Sequence, residues 1–162
     1  MGADNEMLLS ALRKQRQHVL GTLDGLTAEQ LSSPMLPSGW TALGLVQHLA
    51  LDVERFWFQG VIAGDAAVWD SLSDQSAWAV PDGTNDKEVF DRYLAEAARS
   101  DYILATTALD QAPARWPDFF GDFRLADLHA VAVHVLVETA CHAGHLDAAR
   151  ELLDGQQWLV LN

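Results

Sequence analysis

Apolar residues recur at helical spacing in four long stretches of the chain, separated by polar or proline-rich segments. The stretches run from about residue 4 to 24, 40 to 58, 84 to 110 and 125 to 153. The apolar face of the first is predicted as Leu8, Leu12, Val19, Leu23 and Leu26, with Gln15 as a gap, and that of the third as Phe90, Leu94, Ala97, Leu104 and Ala108. Four long amphipathic helices predict an all-α fold and favour a four-helix bundle.

Capping residues predict where these helices begin and end. Thr41 is a natural N-cap for the second helix, Asn85 opens the third, and Gly155 follows the last residue of the fourth. Thr27 and Gln30 form a capping-box pattern, which predicts one short helical turn in the linker after the first helix.

The segment between residues 64 and 83 shows no clear period. We expect a long crossover here between the second and third helices, with room for one turn of helix, and a segment of this length often covers a functional site. The only run with strand character is at residues 158–161, in a short apolar tail.

Composition favours a single cytoplasmic domain spanning residues 1–162. The net charge of −13 disfavours nucleic acid and anionic membranes as partners. The N-terminus is acidic and polar rather than a basic, then apolar, leader, and no apolar run approaches the ~20 residues of a membrane span. One cysteine, Cys141, rules out a disulfide within the chain, and we expect it to be buried and inert.

Groups that can bind a metal lie along one stripe of the fourth helix. Glu138 and His142 are one turn and ~40° apart, with His134 and His145 nearby on the same stripe. In the second helix, His48 interrupts an apolar stripe that also carries Asp52. The alternatives are a solvated pair, Glu138 with His142, and a histidine with satisfied hydrogen bonds in the core.

If the two helices face each other, His48, Glu138 and His142 form a set of three ligands with one vacant position. Such a set is typical of catalytic rather than structural zinc, and it also suits nickel, iron(II) or manganese. His145 would be a fourth ligand, a hydrogen-bond donor behind the ligands, or a general acid-base group, and the last two roles are favoured.

Two further groups have alternative roles. Arg150 either joins an internal ion-pair set with Asp147 and Glu151, which is the simpler reading, or binds an anionic cosubstrate. Three tryptophans either pack in the core and loops or line the mouth of the site: Trp57, Trp69 and Trp78.

Two motifs carry a resemblance to a known family. They are Gly39-Trp-Thr leading into His48-Leu49, and Glu138-Thr-Ala-x-His142-Ala-Gly-His145-x-Asp-x-x-Arg150-Glu. The chain resembles, over essentially its whole length, the DinB-like superfamily, and is most similar to an uncharacterised actinobacterial branch related to mycothiol-dependent maleylpyruvate isomerases. The resemblance implies a DinB-like four-helix bundle, often dimeric, with a divalent metal held by His48, Glu138 and His142. Glutamate at position 138 favours the thiol-dependent branch.

These observations predict a transferase or isomerase that uses a metal-activated thiolate. The resemblance implies mycothiol as the cosubstrate, with a small electrophile as the other substrate. His145 or a metal-bound water would move protons, and the protein could form a homodimer. One alternative is a metal-dependent hydrolase that needs no thiol. The other is a non-catalytic, stress-related bundle with a structural or vestigial metal site.

Overall fold

Helices account for the regular structure of residues 2–72, 76–81 and 83–158, which this computed structural model describes. They are α1 (Ala3–Leu23), α2 (Ala28–Ser32), α3 (Ala42–His48), a π-helix (Leu49–Ile62), α4 (Ala66–Asp70), α5 (Asp86–Thr106), a 3-10 turn (Asp118–Phe120) and α6 (Leu128–Asp154). Within those residues the backbone forms one isolated bridge and no strand, so the all-α prediction is confirmed. Most of the strand-like run at 158–161 lies outside the described residues.

The predicted caps are confirmed. Thr41 Oγ1 accepts a hydrogen bond from the Gly44 N–H at 3.0 Å, which starts α3. Thr27 and Gln30 form the reciprocal bonds of a capping box around α2. Gly155 ends α6 in the left-handed conformation, with φ at 77°, which a residue with a side chain rarely adopts.

The second long helix changes its winding directly after His48. Residues 49–62 form a π-helix, in which each N–H bonds to the carbonyl five residues earlier. At its end, the Ala63 N–H reaches the Phe58 carbonyl at 3.0 Å. This π-helix is buried on nearly all sides because it packs against both α5 and α6.

Helix α5 buries only part of the predicted face, including Ala97 and Leu104. Leu94 and Ala108 are exposed, whereas Tyr93 and Ser100 are buried. The helix ends at Thr106, so Ala108 lies beyond it. The inward face also carries polar groups, which an apolar pattern does not detect.

A buried ion pair joins α1 to the π-helix. Arg16 Nε and Nη2 donate to the two Glu54 carboxylate oxygens at 2.7 and 2.8 Å, and Nη1 donates to Asp101 of α5 at 2.5 Å. Glu54 has no exposed surface. Burial alone would lower the pKa of Arg16, but the Glu54 and Asp101 carboxylates raise it overall. The residue after the predicted gap at Gln15 therefore faces the core as a charged group.

None of the helices in residues 2–72, 76–81 and 83–158 combines the length and apolar character that crossing a bilayer requires.

Candidate metal centre

The last turn of α3 and the middle of α6 bring three candidate ligands together. His48, Glu138 and His142 each offer one ligand atom, and these atoms all lie within 4.8 Å of one another. Glu138 Oε2 lies 3.7 Å from His142 Nε2, and the rings of His48 and His142 meet edge to face with centroids 5.1 Å apart. The two helices therefore face each other as the sequence predicted.

The ring of His48 is held by a carboxylate on its own helix. Asp52 Oδ2 lies 2.8 Å from His48 Nδ1 across one turn. Because a carboxylate only accepts hydrogen bonds, Nδ1 carries the proton, and Nε2 keeps its lone pair for a metal. Asp52 was predicted to share this face, but its role was missed. Its position four residues after His48 was the available signal.

His142 is in the protonation state that a metal ligand needs. Burial, together with the smaller effects of the nearby His48 and His145 rings, lowers its pKa to about 4, against the opposing effect of Glu138. Its Nδ1 atom is buried and finds no hydrogen-bond partner among the described residues. The ring is therefore neutral at pH 7, and neutral imidazole is the form that binds metals.

These residues fit a divalent cation. Bonds of about 2.0–2.1 Å to nitrogen and oxygen place neighbouring ligand atoms of a tetrahedral zinc site roughly 3.4 Å apart. The 3.7 Å between Glu138 and His142 is close to that separation. Two imidazoles and one carboxylate also leave a coordination position open, as catalytic sites require.

Trp78 of the crossover covers one side of the ligand set. Its indole stacks on the His48 ring with centroids 4.3 Å apart and planes 18° apart, and meets the His142 ring edge-on at 5.5 Å. Glu138, by contrast, keeps 41% of its side chain exposed. Of the three tryptophans considered for the mouth of the site, Trp78 is the one that contacts the ligands.

The other predicted site residues lie at different distances from this centre. His145 is exposed, with its ring centroid 5.6 Å from that of His142, so it borders the ligand set. Arg150 lies about two turns after His142 in α6 and is buried. Its Nε donates to Asp154, its Nη1 donates to the carbonyls of Thr22 and Asp24, and Nη2 donates to Gln156.

The contacts of Arg150 hold the C-terminal end of α6 against the end of α1. Asp147 pairs instead with His18, at 2.8 Å from its Nε2. Arg150 therefore forms an ion pair, as one alternative predicted, but with Asp154 rather than with Asp147 or Glu151.

The prediction for Cys141 is wrong. Its side chain is exposed rather than buried. The outward face of α6 is itself apolar, with Val133 and Val137 also exposed, so apolar neighbours in the sequence did not identify the buried side.

Comparison with known proteins gives one family. The family model for Mycothiol-S-transferase matches residues 7–155. Searches of curated proteins and of solved structures found no match. The matched residues include all three candidate ligands as well as Asp52, Trp78 and His145.

Proposed function

The chain belongs to the Mycothiol-S-transferase family, a part of the DinB-like superfamily, and from that premise we propose that it is a metal-binding thiol transferase. It would join a low-molecular-weight thiol of the mycothiol type to a small electrophile. The observation that carries the proposal is the convergence of His48, Glu138 and His142, whose ligand atoms lie within 4.8 Å of one another.

The chain's own residues would prepare the site. Asp52 holds Nδ1 of the His48 ring and so leaves Nε2 available to a metal, and burial keeps His142 neutral. A divalent ion, with zinc as the best fit and nickel, iron or manganese as alternatives, would when bound lower the pKa of a thiol and supply a thiolate at neutral pH.

His145 would handle the proton. Its exposed ring beside His142 can accept the proton that the thiol loses and exchange it with solvent. The thiol sulfur then forms a bond to the electrophilic carbon of the substrate, and the leaving group departs with the bonding electron pair. An isomerase would instead add the thiolate to a carbon–carbon double bond, allow rotation about the resulting single bond, and expel the same thiolate as the double bond forms again.

Several finer features stay predictions. These are the DinB-like four-helix bundle, a homodimer, a cytoplasmic location, a link to the isomerase-related branch, and cosubstrate binding by Arg150. The engaged N–H groups of Arg150 favour its role at the helix end over a role in binding.

The first experiment measures metal content and thiol binding together. Elemental analysis of untagged protein should give close to one divalent ion per chain, lost in His48→Ala and His142→Ala. His129→Ala is the matched control, since His129 is an exposed histidine at the start of α6. Cobalt-substituted protein should then show a sulfur-to-metal absorption band on addition of mycothiol.

Two results would contradict the proposal. Protein that binds no metal even after reconstitution would leave no basis for any metal enzyme. Protein that binds metal but no cellular thiol, and turns over esters or amides, would be a hydrolase instead.

A further inference from the structure

The crossover segment 76–80, here called the Trp78 segment, is fastened to α3 by a buried side chain. Gln47, the residue before the ligand His48, donates through Nε2 to the carbonyls of Ala77 and Ala79 at 2.7 and 3.2 Å. These two carbonyls flank Trp78 on either side. The side-chain amide of Gln47 therefore anchors the backbone of the segment, and Gln47 is the neighbour of His48 in sequence.

A glycine allows the segment to come this close. A Cβ atom at Gly44, one turn before His48, would overlap the carbonyl oxygen of Trp78. That oxygen belongs to the backbone and cannot move without the segment. Gly44 and Gln47 thus hold the segment by two independent means, close contact and hydrogen bonding.

The fastened segment places an aromatic plane against the ligand. The indole of Trp78 lies nearly parallel to the imidazole of His48, which Asp52 already holds at Nδ1. A hydrogen bond at one ring atom still permits rotation of the ring about that bond. A flat surface against the ring face removes this freedom, so the two contacts together fix the direction of Nε2.

We propose that Trp78 is a positioning residue for the metal ligand His48, and that its indole closes one side of the centre. Ligands from solution would then approach from the side of Glu138, which is the most exposed of the three ligands. This inference rests on the proposed metal site and adds to it a residue outside the ligand set, together with a direction of approach.

The test compares Trp78→Ala and Trp78→Phe in metal binding. We expect Trp78→Ala to weaken metal affinity about 10- to 100-fold, the effect typical of losing a group that orients a ligand, and to speed removal of the ion by a chelator. Trp78→Phe keeps an aromatic face and should retain most of the affinity. Trp69→Phe is the control, since Trp69 lies in the same crossover but hydrogen-bonds the Gly60 carbonyl instead.

Spectra of the cobalt form separate positioning from general stability. The visible ligand-field bands of bound Co²⁺ should change in Trp78→Ala and remain as in the wild type in Trp78→Phe. Co²⁺ should also quench tryptophan fluorescence, and this quenching should shrink in Trp78→Phe but not in Trp69→Phe.

Two further variants perturb the segment without touching Trp78 or a ligand. Gly44→Ala should push the segment away, and Gln47→Leu should remove its tether. Both should weaken metal affinity and alter the Co²⁺ spectrum in the same direction as Trp78→Ala, so the result does not depend on one variant folding.

The outcomes distinguish this inference from the proposed function. Wild-type protein that binds no metal would overturn both. Wild-type protein that binds metal, with folded Trp78→Ala, Gly44→Ala and Gln47→Leu showing unchanged affinity and spectra, would overturn the role of Trp78 alone.

Discussion

Asp52 accepts a hydrogen bond from the His48 ring across one helical turn, with 2.8 Å between Oδ2 and Nδ1. The bond fixes which ring nitrogen is available to a metal. It also spans the change from α3 to the π-helix, because His48 is the last residue of one and Asp52 lies in the first turn of the other.

Replacing Asp52 with alanine should therefore weaken metal affinity about 10- to 100-fold. The affinity is measured by competition with a chromogenic chelator. Asp91→Ala is the matched control, since Asp91 is a carboxylate one turn from the basic group of Lys87 on an exposed face. Equal affinity in the two variants would show that Asp52 does not support His48.

The metal-free protein should lose stability in acid partly through His142. Its pKa of about 4 in the folded protein lies below the 6.5 of a free histidine, because burial disfavours the charged ring. The folded state thus binds fewer protons than the unfolded state between these values. The contribution of His142 to the free energy of unfolding is fully present above about pH 6.5 and is lost as the pH falls towards 4.

Denaturant unfolding of chelator-treated protein between pH 7.5 and 4 would measure this effect. His142→Gln has no titrating group at position 142, so its free energy of unfolding should fall less steeply as the pH decreases. An equal slope in wild type and variant would contradict a lowered pKa, and NMR titration of the His142 ring would test the pKa directly.

Removing the buried charge of α1 should destabilise the fold strongly. Arg16→Ala leaves the Glu54 carboxylate buried without its partner, which typically costs about 3–5 kcal/mol. Arg13 pairs with the same Asp101 but is 60% exposed, so Arg13→Ala should cost no more than about 1 kcal/mol. Chemical denaturation measures both. Similar small losses would mean that Glu54 finds another partner or becomes protonated.

Two helical glycines should respond oppositely to alanine. Gly144 has no heavy atom within 4 Å of a new Cβ, so Gly144→Ala should gain about 0.5–1 kcal/mol from the helix preference of alanine. At Gly21 the Cβ would overlap the ring of Trp158, which also stacks on His18. Gly21→Ala should therefore not increase the free energy of unfolding as Gly144→Ala does. The double variant Gly21→Ala, Trp158→Ala should recover that increase. Equal gains in both single variants would contradict the close contact.

The sequence predicted the starts of α3 and α5 and the end of α6, because capping is a local interaction. Thr41, Asn85 and Gly155 each act on backbone groups within a few residues, so short motifs contain the necessary information. The grouping of the three candidate ligands was also predictable from spacing and resemblance, since Glu138 and His142 are one turn apart on a single helix.

The remaining features depend on contacts distant in sequence. Trp78 and His48 are thirty residues apart, and nothing in the crossover sequence indicates which tryptophan reaches the ligands. No glycine or proline at the start of residues 49–62 indicates that this stretch forms a π-helix rather than an α-helix. The apolar pattern of α1 placed the gap in the apolar face at Gln15 and did not identify the buried Arg16, because its partner Glu54 lies on another helix.

The Arg16–Glu54 pair has a consequence for the alignment of α1 with its neighbours. Leu8, Leu12, Val19 and Leu23 offer similar apolar surfaces on the turns before and after Arg16, so a slide of α1 by one turn would still match most of them against apolar partners. Such a slide moves the guanidinium by about 5.4 Å and strands two opposite charges inside the protein. We therefore expect the pair to fix the register of α1 against its neighbours, because apolar packing alone would tolerate several alignments.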